Sequence, residues 1–284
     1  MTVARRHPEW IKVRAPSGEA FFDTKRLVKE LRLHTVCEEA RCPNIGECWS
    51  HKTATFMLLG DVCSRNCSFC AVTHGRPVTV DPAEPDRVAE GVMRLGLRHV
   101  VVTSVDRDDL ADGGSEHFAR TAEAIKSRMP DCTVEVLVPD FQGDPVAIDT
   151  VVDAPIDILN HNTETVPRLY KSVRPGAQYA RSVRLLAHAK ARRPELLTKT
   201  GLMLGLGEQC DEVLAVFADL AAVHCDILTL GQYLRPSVAQ LPVKRYVPPA
   251  EFADLRTTAL QFGFRHVESG PLVRSSYHAW EHAR

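Results

Sequence analysis

The sequence predicts an α/β fold, a partial (β/α)6 barrel carrying an N-terminal extension and a C-terminal tail. Three observations lead there. Short apolar runs recur along the chain, stretches with helical periodicity separate most of them, and no Gly-x-Gly-x-x-Gly follows the first run. The runs cover residues 54–59, 99–104, 133–138, 157–160, 197–204 and 226–233. The clearest helical stretches are 87–95, 116–129, 180–191, 212–223 and 250–262.

Strands alternating with helices are βαβ units, whose right-handed crossovers allow an open doubly wound sheet or a barrel. Six units are too few for a closed eight-stranded barrel, and a Rossmann sheet would show its glycine fingerprint after the first strand. The expected division is therefore 1–52 as an extension with little strand character, 53–264 as the partial barrel, and 265–284 as the tail. Function belongs at the C-terminal strand ends.

Composition narrows the classes. Of 284 residues, 44% are hydrophobic and 25% charged, enough for a full core, and the net charge of −1 gives no electrostatic case for nucleic acid or a membrane surface. No apolar run approaches the ~18 residues of a membrane span. Arg5, Arg6, Lys12 and Arg14 near the start lack the apolar stretch of an export signal, and Glu9 with two prolines argues against a transit peptide. Nine cysteines in such a chain point to a reducing, cytoplasmic setting and to metal binding or catalysis.

Six of the nine cysteines fall into two triplets. Cys63, Cys67 and Cys70 follow the first strand at C-x3-C-x2-C spacing. Three thiolates can hold three irons of a cubane, and iron–sulfur clusters ordinarily take four cysteines. The missing fourth leaves an open position, as catalytic zinc sites do for substrate. A zinc knot from the same thiolates is the competing reading, but structural zinc favours two closed C-x2-4-C pairs. Cys37, Cys42 and Cys48, at C-x4-C-x5-C, also supply three ligands and lack a fourth.

The second triplet, placed after the first strand of a βα chain, resembles the radical S-adenosylmethionine superfamily. Two triplets in tandem resemble its lipoyl synthase family, and the likeness runs along nearly the whole chain. Residues 39–49, 54–61, 102–110, 160–162 and the Arg-Ser-Ser-Tyr-His stretch at 274–278 carry it. The resemblance implies two 4Fe-4S clusters and S-adenosylmethionine. One cluster, on Cys63, Cys67 and Cys70, would cleave S-adenosylmethionine to a 5′-deoxyadenosyl radical. The other, on Cys37, Cys42 and Cys48, would donate sulfur to carbons 6 and 8 of an octanoyl-lysine. A serine of the tail motif would complete it, Ser276 first and Ser275 as the fallback. Serine oxygen is a harder ligand than thiolate, which suits a cluster that must open. The octanoyl chain must lie between the two sites, so extension and tail should close the barrel mouth.

The same resemblance implies octanoylated lipoyl-carrier domains as substrates, namely the glycine cleavage H protein and 2-oxoacid dehydrogenase E2 subunits. It also implies a flavodoxin or ferredoxin-type electron donor and an iron–sulfur carrier protein, with no nucleic acid and no membrane. For S-adenosylmethionine contacts, Gly205 and Glu208 lie in a glycine-rich strand end, where glycine lets backbone approach a flat ligand. Gly113 and Gly114, after Asp112, occupy the place that often holds the methionine amino group. Ser104 and Asp106 end the second strand, and Asn160, ending the fourth, is placed for the ribose.

Two other classes stand beside this reading: a sulfur-inserting relative such as a methylthiotransferase, and a non-enzymatic iron–sulfur or zinc protein. His278 to His282 matches the H-x-x-E-H zinc-peptidase pattern without a downstream ligand. Cys132, Cys210 and Cys225 read as small hydrophobes.

Overall fold

The computed structural model describes residues 7–277 and 279, apart from 14, 52 and 53. In chain order the elements begin with α1 (Glu19–Glu30), β1 (His34–Thr35), α2 (Val36–Glu39), α3 (Ile45–Ser50), β2 (Thr55–Leu58), β3 (Val62–Cys63) and β4 (Thr73–His74). There follow α4 (Glu84–Leu95), β5 (His99–Ser104), α5 (Ser115–Arg128), β6 (Thr133–Leu137), α6 (Pro145–Asp153) and β7 (Ile158–Asn160). The C-terminal part comprises α7 (Tyr170–Val173), α8 (Tyr179–Arg192), β8 (Leu197–Leu204), α9 (Cys210–Ala222), β9 (Ile227–Gln232), α10 (Pro249–Gln261) and β10 (His266–Gly270).

Eight strands form one sheet in the order β1-β2-β5-β6-β7-β8-β9-β10, and β3 pairs with β4 beside it. From β2 to β10 every pairing is parallel; β1 joins antiparallel to β2. The sheet stays open between β1 and β10, so the barrel is partial, as the repeat count predicts. One feature differs from the sequence reading. A seventh parallel strand, β10, extends the sheet into the region assigned to the tail. Residues 1–52 carry α1 to α3 and, in the sheet, only the two residues of β1.

Local chemistry sets the helix ends. Pro85 starts α4 and Gly96 closes it in the left-handed region, while Asp144 caps α6 through the Val146 amide. At α9, Gln209 and Glu212 form a reciprocal capping box.

Alternation along the strands separates two faces. Val100, Val102, Val134, Val136, Leu159, Leu202 and Leu228 pack in one core with Val92, Phe118, Ile125, Leu185 and Phe217 of the helices. The alternate residues Val101, Thr103, Glu135, Ile158, Asn160, Lys199 and Thr229 are also buried, but they lie outside that helix-packed core and form the inner face. That inner face carries charge, which an ordinary parallel-sheet core does not. Among the described residues no helix is long and apolar enough to cross a membrane.

Candidate cluster site at the strand ends

The 63–70 loop leaves β2 through Gly60 and is clasped from several sides. The Asp106 amide donates to Cys63 Sγ at 3.3 Å, and Ser64 Oγ donates to the Asp106 carbonyl at 2.9 Å. Arg65 is buried and binds Asp108 through two nitrogens at 2.7 Å each, Asp140 at 2.7 Å and Asp106 at 3.4 Å. One arginine therefore ties the cysteine loop to the loops after β5 and β6. The last part of the loop is held by the 233–248 connection, where the Leu241 amide donates to Ser68 and Gln240 Nε2 donates to the Cys70 carbonyl. Cys63, Cys67 and Cys70 are all half-buried. Burial pushes the Cys63 and Cys67 thiols up to about 12, so both are protonated until a cation binds them.

The first triplet forms in the helical extension. Thr35 caps α2, which carries Cys37, and α3 carries Cys48; the Cys42 amide closes the turn between them on the Cys37 carbonyl at 3.0 Å. Burial first, and then the charge of neighbouring thiols, pushes Cys37 and Cys48 up to about 12, with Cys42 acting on both. The Trp49 indole N–H is buried beside the Cys37 thiol and points its hydrogen bond at that sulfur. Strand β10 leads the tail back over this region. Asn44 Nδ2 donates to the Leu272 carbonyl at 2.8 Å, Tyr277 meets Glu47 at 3.2 Å, and Thr55 Oγ1 donates to Ser276 Oγ at 2.8 Å. Ser275 faces the strand ends, where Asn162 Nδ2 donates to its Oγ at 2.7 Å. Of the His278 to His282 pattern, residues 278 and 280–282 lie outside the described residues.

At the ends of β5 and β7 and in the segment after β7 lie polar atoms that the protein does not satisfy. Ser104 Oγ, Asn160 Oδ1, Asn162 Oδ1, Thr165 Oγ1 and Arg174 Nε are buried without hydrogen-bond partners. Ser104 and Asn160 end β5 and β7, and Asn162, Thr165 and Arg174 follow β7 in the chain. Buried polar atoms are nearly always paired, so this concentration marks a place for a polar ligand. Ser104 and Asn160 do close the second and fourth strands of the repeat, β5 and β7.

The other predicted contacts act through the backbone. Glu208 accepts from the Gly205 and Leu206 amides at 2.6 and 2.9 Å, so its carboxylate shapes the β8 turn rather than facing outward. A Cβ on Gly205 would come within 2.4 Å of the Arg245 carbonyl, which explains the glycine by chain packing. Asp112 accepts from the Gly114 and Glu116 amides at 3.0 Å each and caps α5, while Gly114, at φ 91°, lets that helix start against Leu59.

Two charged residues, Arg174 and Glu164, went unnoticed in the sequence, and Arg274 was read there only as part of the tail motif. Arg174 is buried, donates to the Asn162 carbonyl at 2.7 Å and stacks on Tyr170. Its charge acts on Cys67 and Glu164. Arg274 acts on Cys42 and on the same Glu164. Glu164 is therefore within electrostatic reach of both arginines. Burial pushes Glu164 up against the pull of both arginines.

The donor set fits two iron–sulfur clusters. Each triplet offers three soft thiols, and in the first the Trp49 indole N–H faces Cys37 Sγ. Among the described residues no three His, Cys, Asp or Glu side chains are grouped to hold a single metal ion.

Comparisons with known proteins identify the family. The radical SAM superfamily profile matches residues 57–220, and that of the N-terminal domain of lipoyl synthase matches residues 2–42. The chain is 57% identical to lipoyl synthase of Chloroflexus aggregans over 98% of its own length and 90% of the relative's. It is 57% identical to lipoyl synthase of Roseiflexus sp., covering 98% and 92%, and to that of Koribacter versatilis, covering 97% and 91%. Among solved structures, methylornithine synthase aligns with a TM-score of 0.53 at 15% identity, covering 89% of this chain and 79% of that one. Streptococcus suis SuiB bound to S-adenosylmethionine aligns with a TM-score of 0.58 at 11% identity, covering 79% and 53%. These two likenesses concern the fold alone.

Proposed function

The chain belongs to the lipoyl synthase family of radical S-adenosylmethionine enzymes, and from that membership we propose how its residues divide the work. Cys63, Cys67 and Cys70 hold the 4Fe-4S cluster that meets S-adenosylmethionine. Cys37, Cys42 and Cys48 hold a second 4Fe-4S cluster, the sulfur source, with Ser276 as its fourth ligand. The observation that carries this division is the meeting of tail and extension. Ser276 comes from the far end of the sequence yet lies against Thr55, whose backbone amide faces Cys37.

When bound, these groups supply one-electron cleavage of S-adenosylmethionine, hydrogen abstraction and sulfur. The remaining work belongs to the chain. Arg65 holds the 63–70 loop against the barrel. Arg174 provides fixed positive charge for the carboxylate of S-adenosylmethionine. Ser104 and Asn160 offer hydrogen-bonding oxygens to its polar groups, Gly113 and Gly114 shape the α5 start beside it, and Gly205 and Glu208 fix the β8 turn. The tail and extension together keep water from the space between the triplets.

The substrates we assign are octanoylated lipoyl-carrier domains, such as the glycine cleavage H protein and 2-oxoacid dehydrogenase E2 subunits. A flavodoxin or ferredoxin-type donor reduces the enzyme, and an iron–sulfur carrier protein restores the second cluster. Iron and sulfide analysis after anaerobic reconstitution tests the cluster assignment. Two cubanes give about eight irons and eight sulfides per chain. About one zinc and no sulfide would contradict it.

A further inference from the structure

On the inner face of the barrel, below the strand ends, lies an ion pair that the cluster assignment does not use. Lys199 Nζ is 2.8 Å from Glu135 Oε1, and both side chains are 0% exposed. The same Oε1 accepts from Asn160 Nδ2 at 2.9 Å, and His99 Nε2 lies 3.3 Å from Oε2. Burying such a pair often adds little stability over apolar residues of the same size. The geometry suggests another use for it.

Asn160 has a carboxamide whose two ends differ only in being donor or acceptor. An ionised carboxylate accepts and cannot donate, so only Nδ2 can face Glu135. The opposite end, Oδ1, must then face away, and it is buried without a partner. Lys199 keeps the Glu135 carboxylate charged in a dry setting, and the carboxylate fixes the amide. Asn160 ends β7 and pairs in register with Lys199 on β8, so all three groups share one stretch of sheet. Ser104 Oγ, at the end of β5, is also without a partner.

We propose that Glu135, held by Lys199, is a positioning residue that locks Asn160 with its oxygen toward the cofactor, ready to accept from a ribose hydroxyl of S-adenosylmethionine. This rests on the reading that Asn160 contacts the nucleoside. Glu135 and Lys199 themselves touch no reacting atom.

The test compares two uncharged replacements of the pair, so that neither leaves a lone buried charge. The amide introduced by E135Q/K199M still offers Asn160 an acceptor; the thioether introduced by E135M/K199M, of similar shape, does not. Binding of S-adenosylmethionine is measured by anaerobic equilibrium dialysis on the cluster-loaded protein without reductant, so no turnover intervenes. Loss of one hydrogen bond predicts about tenfold weaker binding for N160A and for E135M/K199M, with E135Q/K199M within about threefold of the parent. Adding N160A to E135M/K199M should cost nothing further. If N160A weakens binding but the two double variants bind alike, the positioning role is wrong. If N160A binds as the parent does, the nucleoside contact is wrong and the positioning role goes with it. N160A needs no change in the ion pair, so it reports even if a double variant does not fold.

Discussion

Thr55 and Ser276, 221 positions apart in sequence, share a hydrogen bond of 2.8 Å between their hydroxyls. The neighbouring serine turns the other way, with Ser275 held by Asn162 at 2.7 Å at the strand ends. The two serines of one motif therefore serve different walls. Ser276 lies against Thr55 of β2, and Ser275 against Asn162 beyond the end of β7.

That separation predicts unequal variants. Ser276→Ala should lose iron selectively from the first cluster, whereas Ser275→Ala should retain it; Mössbauer spectra of reconstituted protein distinguish the two. Ser276→Cys, with a softer ligand, should hold that cluster more tightly and release sulfur more slowly. A fully active Ser276→Cys enzyme would argue that Ser276 is not a ligand.

Cys70→Ala should abolish reductive cleavage of S-adenosylmethionine and lower iron from about eight to about four per chain. Chromatography of 5′-deoxyadenosine reads the first effect and metal analysis the second. Undiminished cleavage would remove Cys63, Cys67 and Cys70 from the role assigned to them.

Cys42→Ala should do the reverse. S-adenosylmethionine is still cleaved, but no sulfur reaches the octanoyl chain, as mass spectrometry of the peptide would record. Lipoyl product from this variant would exclude Cys37, Cys42 and Cys48 as holders of the sulfur source.

A pH effect follows from His161. Its Nδ1 faces the Val138 carbonyl at 2.8 Å and Nε2 faces Ser182 Oγ at 2.9 Å, an arrangement that suits the neutral ring. Burial, helped by the Arg174 charge, lowers it from 6.5 to about 4. The unfolded chain therefore takes up a proton first as pH falls. The neutral ring's contribution is complete above pH 6.5 and is lost towards pH 4, by about 3 kcal/mol in total. Urea melts of the apoprotein at about pH 7 and about pH 4.5 should show that decline, and His161→Gln should flatten it. Parallel slopes for the two proteins would show that His161 is not the group responsible.

The sequence exposed the parts of this site that depend on spacing. The 63–70 and 37–48 triplets, the six apolar runs and the Arg-Ser-Ser-Tyr stretch could each be read without coordinates. Strand β10 was harder, because His266 and Glu268 break its apolar character, and α6 is too short for a firm period. Glu164 is a different case: it sits at φ 64°, a backbone state that sequence does not announce. Its link to Arg174 and Arg274 joins parts of the chain that only folding brings together. Glu135 and Lys199 did leave a trace, as single charges inside otherwise strand-like runs. A charge on the inner face of a parallel barrel is a question that the sequence raises and the partner answers.

The most direct test of the account is anaerobic incubation of the cluster-loaded protein with an octanoyl-lysine peptide, S-adenosylmethionine and a low-potential reductant, followed by mass spectrometry. The account predicts a peptide that has gained two sulfur atoms, with two molecules of 5′-deoxyadenosine formed for each. Cleavage of S-adenosylmethionine with an unaltered peptide, from protein shown to carry both clusters, would contradict it.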